Sequence, residues 1–380
     1  MDATKALDKA KDIATRIAAP AASKHDSEGS FPAETMKALG EAGLLGLHVP
    51  TELGGLGLGP RAFADVMAAL AEADGSVAMV YMMHILGTSC ILAAPTRDAF
   101  KDTLKDIAAG KHLTTLAFSE SGSRSHFWAP VSKATRSGDG VMITAQKSWV
   151  TTAGHAQSYV VSTLSATGKG PTDSTLYLVD AKAPGVNIRG AWDGMGLRAN
   201  ASSPIAFETQ VSDKARLTEE STGFKAMLEV VLPLFNLGQA AVGLGLSRAT
   251  TNATVSHLKA AKFEHLGQSL GEALPNLRAN LATMQIKCDA LAAVIDDTVR
   301  HLESPGDLTM LRVLEAKALG GDTSIEVTSL GMRTCGGAAF SKHTSIDRFF
   351  RDAHAGAVMA PTGDVLREFI GKALLGIPLF

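Results

Sequence analysis

Three cysteines in 380 residues, Cys90, Cys288 and Cys335, are too few and too widely spaced for a disulfide framework or a zinc site. Their scarcity suits a reducing compartment, and the cytoplasm is the expected location. An excess of charge of either sign is missing as well. With 36 basic and 38 acidic side chains the formal net charge is −2, so nothing electrostatic points to nucleic acid or to an anionic membrane as a partner. Long hydrophobic runs are also lacking: the longest apolar stretches are broken by Gly, Pro or charge before they reach the length of a bilayer span. The opening MDATKALDKAKDIATRIAAPAASK has no continuous apolar centre, which argues against a signal peptide. Asp2, Asp8 and Asp12 argue against a transit peptide. No phosphate loop, nucleophile elbow or paired-histidine metal motif occurs, and no metal is expected. The run GGLGLG at 54–59 follows a helical stretch where a dinucleotide fingerprint needs a strand, so it reads as a turn.

What is present is a chain with 46% hydrophobic and 19% charged residues, enough for two or three domains around a sizeable core. Residues 1–112 follow a helical period, as in Leu7, Ile13 and Ile17 and in the apolar runs ADVMAALAEAD and MVYMMHILGTSCILAA. From 113 to 220 the pattern becomes short and β-branched: HLTTLAFSE, GVMITAQKSWVTTAG, SYVVSTLSA, STLYLVDA, GVNIRGAW and SPIAFETQV, separated by Gly, Asp and Pro. That spacing suggests a small barrel or sandwich. Over 221–380 the helical period returns in about four long segments with short connections, which read as a bundle. Helices, then strands, then helices is a segregated α+β architecture.

Five local clusters then stand in order: GLLGLHVPTELGGLGLG (43–59), AFSESGSRS (117–125), KSWVTTA (147–153), GMGLRANASS (194–203) and CGGAAF…RFFRDA (335–353). In that order they resemble the acyl-CoA dehydrogenase superfamily over nearly the whole chain. The second is similar to the family's T-E-P-x-x-G-S-D, the third to K-x-W-I-T-N-A, and the last to C-G-G-x-G-Y…R-x-x-R-D-A. The resemblance implies a helical N-terminal domain, a central β-barrel and a C-terminal four-helix bundle that forms a homo-oligomer interface, dimeric or tetrameric. It implies FAD, with its ring between barrel and bundle and its adenosine end reaching a neighbouring subunit. It also implies cofactor contacts at Phe118, Ser119, Ser125, Trp149, Thr151, Arg333, Gly336, Gly337 and Thr362. Trp149 would offer an aromatic face. The hydroxyls of Thr151, Ser119 and Ser125 would meet the polar edge of the ring. Gly336 and Gly337 would let a pyrophosphate approach backbone N–H groups.

The chain departs from the family where its chemistry is carried. After R-D-A the family presents a Glu followed by Gly-Thr; counted from Arg351, this chain has Ala360, Pro361 and Thr362, and the loop from Ala353 to Pro361 holds no carboxylate. The alternative seat for that base, on an earlier bundle helix, falls at Pro233–Phe235, and the Arg usual on that helix is replaced by apolar residues around Leu234. The interfacial R-x-x-F-G reads KFEHLG, and the Gln before Gly-Gly is Arg333.

Three functions stay open. The first is an FAD-dependent oxidoreductase acting on the CH–CH group of an acyl-CoA or similar thioester, with electron-transfer flavoprotein as its partner and a base drawn from His84, His354, Asp364 or Glu120. The usual role of Glu120 is structural, and Asp364 doubles as a helix-start residue. The second is a two-component flavin monooxygenase, fed by a flavin reductase, that hydroxylates an aromatic, sulfur or amine substrate. An apolar loop and a dry pocket would suit it, with His84 and His126 as acid–base groups. The third is a catalytically silent FAD-binding scaffold.

Overall fold

The chain opens with Asp2, whose carboxylate accepts the Lys5 N–H at 2.9 Å and so caps α1 (Ala3–Ile13). The computed structural model describes residues 1–124 and 126–379. A π-helical turn, Ala14–Ala18, joins α1 to α2 (Ala19–Glu28), and Ala6, Ala10, Ile13, Ala14 and Ala18 form one buried stripe. α3 (Ala33–Glu41), α4 (Pro60–Ala73), α5 (Gly75–Leu92) and α6 (Lys101–Ala108) complete the first helical layer. The GGLGLG run is a turn between α3 and α4, as its spacing predicts.

α5 is buried nearly all round and packs against β1, α4 and α8. It and the 223–260 helical run are long and apolar enough to cross a membrane by length and composition, which corrects the expectation that no run reaches that size. Burial explains their composition: 89% and 78% of the two windows lie inside the protein.

The middle of the chain is one mixed seven-stranded sheet: β1 (Thr114–Ala117), β2 (Lys133–Ser137), β3 (Gly140–Val150), β4 (Ser158–Leu164), β5 (Ser174–Asp180), β6 (Val186–Ile188) and β7 (Ser203–Ser212). The order is β1-β4-β2-β3-β7-β6, with β5 also on β4, so the sheet branches at β4. β2, KATRS, escapes the sequence reading because its pattern is mostly polar and exposed; its pairing with β3 makes it a strand. Tyr159, Tyr177, Ile205 and Phe207 fill the sheet's own core.

The last part holds α7 (Gly223–Ala226), a π-helical stretch (Met227–Val231) and α8 (Leu232–Ala260), then a hairpin of β8 (Lys262–Phe263) and β9 (Gln268–Ser269). α9 (Leu270–Ala273), α10 (Pro275–Glu303), α11 (Thr309–Cys335), α12 (Gly337–Phe340), α13 (Ile346–Val358) and α14 (Gly363–Leu374) follow. α8 and α11 approach closely because neither has a side chain at the crossing. A Cβ on Gly243 would lie 2.6 Å from the Gly320 carbonyl oxygen, and one on Gly320 would lie 2.7 Å from the Ala240 Cα. The segment after R-D-A is not a long loop, as its composition suggests. α13 continues through Ala353–Val358, since Ala and Gly there keep the helix until Met359, and only 359–362 is irregular.

Candidate functional site

A cavity of about 580 Å³ opens where the sheet meets α5, the start of α8 and the end of α13. Its sheet wall carries Phe118, Ser119, Ser148, Trp149 and Thr151; its bundle wall carries Val231, Phe235, Val358, Met359 and Ala360. Met79, Met83 and Leu116 close the apolar end.

Trp149 owes its position to an interruption of the ladder. β3 pairs with β7 without a break from Gly140 to Lys147, then shifts register before Val150. Trp149 takes φ 51°, in the left-handed region, and its residue is 60% exposed on the cavity side. A bulge is the usual means of re-aiming one side chain out of a strand. The indole therefore does not pack into the sheet core. Arg124 (φ 51°) and Leu197 (φ 49°) also line the cavity in left-handed conformations that non-glycine residues rarely adopt. Backbone strain gathers where the surroundings hold it for function.

Behind the Trp149 bulge sits a buried ion pair. The Lys147 ammonium donates to the Glu120 carboxylate, to the Ser162 carbonyl at 2.6 Å and to the Phe118 carbonyl at 3.3 Å. Glu120 also accepts the Val131 and Ser132 N–H groups at 2.7 and 3.0 Å and the Ser132 hydroxyl at 2.5 Å. Burial alone would raise the Glu120 pKa; the facing ammonium and these donors outweigh it and hold the carboxyl below its ordinary value. The pair ties β1, β3 and β4 together under Ser119, whose carbonyl accepts the Ser148 N–H at 2.8 Å. Glu120→Gln removes the charge and keeps the shape. It is expected to cost about 3–5 kcal/mol, the range for breaking a buried pair from one side, as read by chemical denaturation. A loss under about 1 kcal/mol, the surface-pair range, would show the pair to be solvent-screened.

The residues singled out in the sequence divide clearly. Phe118, Ser119, Trp149 and Thr151 meet at the cavity, with the Thr151 hydroxyl 2.9 Å from that of Ser202. Ser125 lies outside the described residues. Arg333, Gly336 and Gly337 are exposed at the end of α11, away from the cavity. Gly336 takes φ 55° and ψ −130°, and a Cβ at either glycine would meet open space, so a group from outside can reach this backbone. Thr362 caps α14, accepting the Val365 N–H at 3.5 Å, next to the cavity's loop but not on its lining.

The acid–base candidates lie away from this cavity. His84 is 1% exposed; its Nε2 contacts the Leu45 carbonyl at 3.0 Å and its Nδ1 accepts the Thr114 N–H at 3.2 Å. Burial pushes its pKa down to about 4, so it is a neutral core histidine joining α5 to β1. His354 sits on α13 with Nδ1 2.7 Å from the Phe350 carbonyl, and Asp364 is exposed in the first turn of α14. His126 is exposed and stacks on Trp128 at 5.0 Å. None of these lines the cavity, and neither does Glu120. Among the described lining residues there is no carboxylate or imidazole, and Arg124 is the one formal charge.

Lys317 is a buried titratable group near the cavity with no counterpart among the residues singled out in the sequence. On α11, 2% exposed, its ammonium donates to the Met359 carbonyl at 2.8 Å and to the Pro361 carbonyl, and lies 5.1 Å from the centre of the Phe235 ring. Burial pushes its pKa down to about 7. A lysine in a helical run gives no local sign that it faces inward; only its place one turn before the Gly320 crossing puts it under the loop.

An exposed indole, hydroxyls at Ser119 and Thr151, and apolar walls fit a planar ring with a polar edge, and the open glycine backbone at 336–337 fits a phosphate group from a second subunit. Three family models match in sequence: acyl-CoA dehydrogenase N-terminal domain over 2–111, middle domain over 115–210 and C-terminal domain over 221–375. The chain is 27% identical to the probable acyl-CoA dehydrogenase YngJ of Bacillus subtilis, covering 96% of each. It is 26% identical to a 3-(aryl)acrylate reductase of Clostridium sporogenes, again over 96% of each. It superposes on butyryl-CoA dehydrogenase from Megasphaera elsdenii with TM-score 0.92 at 22% identity, over 99% of this chain and 100% of that one.

Proposed function

The chain belongs to the acyl-CoA dehydrogenase family, and from that premise we propose that this flavin-dependent oxidoreductase binds FAD between sheet and bundle and acts on the CH–CH group of an acyl-CoA or similar thioester. The observation that carries the reading is the cavity itself: Trp149 and Thr151 on one wall, an apolar bundle wall opposite, and about 580 Å³ between. FAD supplies the hydride acceptor when bound. Trp149 would offer an aromatic face to the ring, and the hydroxyls of Thr151 and Ser119 would meet its polar edge. Phe118 packs beside them. Arg333, Gly336 and Gly337 receive the dinucleotide of a neighbouring subunit, which makes the protein a homo-oligomer, dimer or tetramer. The adjacent Phe340, 83% exposed, supports a covered face there. Its electron partner is an electron-transfer flavoprotein, and its location is the cytoplasm.

One observation favours a second reading. Residue 360, counted from Arg351 along the segment after R-D-A, is Ala, and the described cavity lining has neither carboxylate nor imidazole. A two-component monooxygenase fed by a flavin reductase needs a dry, apolar pocket more than a carboxylate. Anaerobic titration of flavin-loaded protein with saturated acyl-CoAs separates the two. Bleaching of the visible flavin band supports the thioester reaction. No bleaching, followed by oxygenation of an aromatic, sulfur or amine substrate when reduced flavin and oxygen are supplied, overturns it.

A further inference from the structure

Arg124 is the one formal charge among the described residues that line the main cavity, and it has no partner among them. The acids near it are already taken. Glu120, four residues earlier, is held by Lys147, and Asp193, beside the lining residue Trp192, pairs with Arg198 at 3.1 Å. Arg124 is exposed, so its charge stands at the rim, where the cavity meets solvent. Its backbone takes φ 51°, a conformation open to glycine and disfavoured for arginine. In the stretch similar to T-E-P-x-x-G-S-D it stands at the motif's Gly. Glu120 anchors the segment: its carbonyl accepts the Ser123 N–H at 3.2 Å, and its carboxylate holds the Val131 and Ser132 N–H groups. The Arg124 N–H donates to no described residue. A turn that ends in a left-handed residue presents backbone N–H groups to an anion. Main chain and side chain of this one residue therefore both lack an acceptor beside an apolar cavity.

We propose that Arg124 is a diphosphate-binding residue at the cavity rim, its guanidinium and backbone N–H receiving the diphosphate of FAD or of CoA. This rests on the flavin and thioester reading above. Each of those ligands joins the group that enters the cavity to an adenosine through one diphosphate. Walls such as Val231, Phe235, Met79 and Met83 suit the ring and the acyl chain. They do not suit a phosphate, whose charge is expensive to bury without a paired cation. The diphosphate therefore stops at the rim, where the one cation stands. A guanidinium matches phosphate oxygens with two parallel N–H donors, which a lysine cannot do. The same residue accounts for the backbone: arginine occupies a position whose conformation favours glycine, and the ligand contact is what it supplies in return.

The test compares flavin-loaded wild type with R124G, a substitution that the left-handed backbone accepts without strain. R124N, also tolerated there, repeats each measurement. Flavin fluorescence after dilution reads the rate of FAD release. Calorimetry reads the binding of two probes that have no β-carbon and cannot be dehydrogenated. Acetyl-dephospho-CoA keeps the diphosphate and lacks the 3′-phosphate; acetyl-pantetheine lacks both. R124G is expected to change one of two quantities by about 10- to 100-fold, the loss of one hydrogen bond to a charged group. Faster FAD release assigns Arg124 to the flavin's diphosphate. Weaker binding of acetyl-dephospho-CoA, with acetyl-pantetheine unchanged, assigns it to the thioester's. Unchanged FAD release together with unchanged binding of acetyl-dephospho-CoA overturns the proposal and leaves the flavin and thioester reading standing. A loss that extends equally to acetyl-pantetheine is a general disturbance of the cavity and overturns it too. A wild type that takes up neither FAD nor either thioester overturns both.

Discussion

Ala360→Glu is expected to accelerate anaerobic flavin bleaching by a saturated acyl-CoA by about 10²–10⁴-fold, the range a positioned general base contributes. The prediction follows from placement: residue 360 lines the cavity, its flanking carbonyls at Met359 and Pro361 are held by Lys317, and no carboxylate competes among the described lining residues. The apolar walls raise the pKa of an introduced carboxyl by desolvation, so the gain should appear as pH rises through that value. Ala360→Gln is the control, matching shape without basicity. Equal rates for the Glu and Gln variants would mean that residue 360 does not reach the substrate, and would move the search for a base away from this loop.

The second large effect is on stability against pH. Burial lowers the Lys317 pKa from 10.5 to about 7. Between those values the unfolded chain binds more protons than the folded one, so Lys317 makes stability rise with pH from about 7 to about 10.5, at up to about 1.4 kcal/mol per unit. Asp352 acts in the opposite sense. Together with Lys317 it lines a narrow crevice under α13, and it accepts the Leu197 N–H at 2.6 Å. Burial raises its pKa from 3.8 to about 7, against the pull of that N–H, with Asp74 adding to the rise and Arg348 opposing it. Here the folded state holds the extra proton, so stability falls as pH rises from about 4 to about 7, at a similar limiting slope. Denaturant melts across pH should therefore show a falling limb missing from D352N and a rising limb missing from K317M. If either variant keeps the wild-type limb, the group is not buried in its charged form and the assignment is wrong.

How much was legible depends on how far the physics reaches along the chain. The strands at 140–150 and 158–164 and the helices at 60–73 and 75–92 are recoverable because alternation and helical period are local. β2 was not, since KATRS shows little hydrophobic signal and becomes a strand only by pairing with β3. The run 353–358 read as loop because Ala and Gly are weak signals, and it stays helical because α13 packs on α11 and α8. At the site, Phe118, Ser119, Trp149 and Thr151 stand in short sequence motifs and line one cavity.

Sequence by itself determined the family and the α+β order, because each is a matter of residue type at a counted spacing. Tertiary structure decided which titratable groups matter. His84, His354 and Asp364 have acid–base chemistry, and packing puts all three away from the cavity. Lys317 went unnoticed, yet the α8–α11 crossing buries its ammonium behind the Ala360 peptide. A side chain's chemical role is set by its solvent, its neighbours and its direction, and those belong to contacts between residues far apart in the chain.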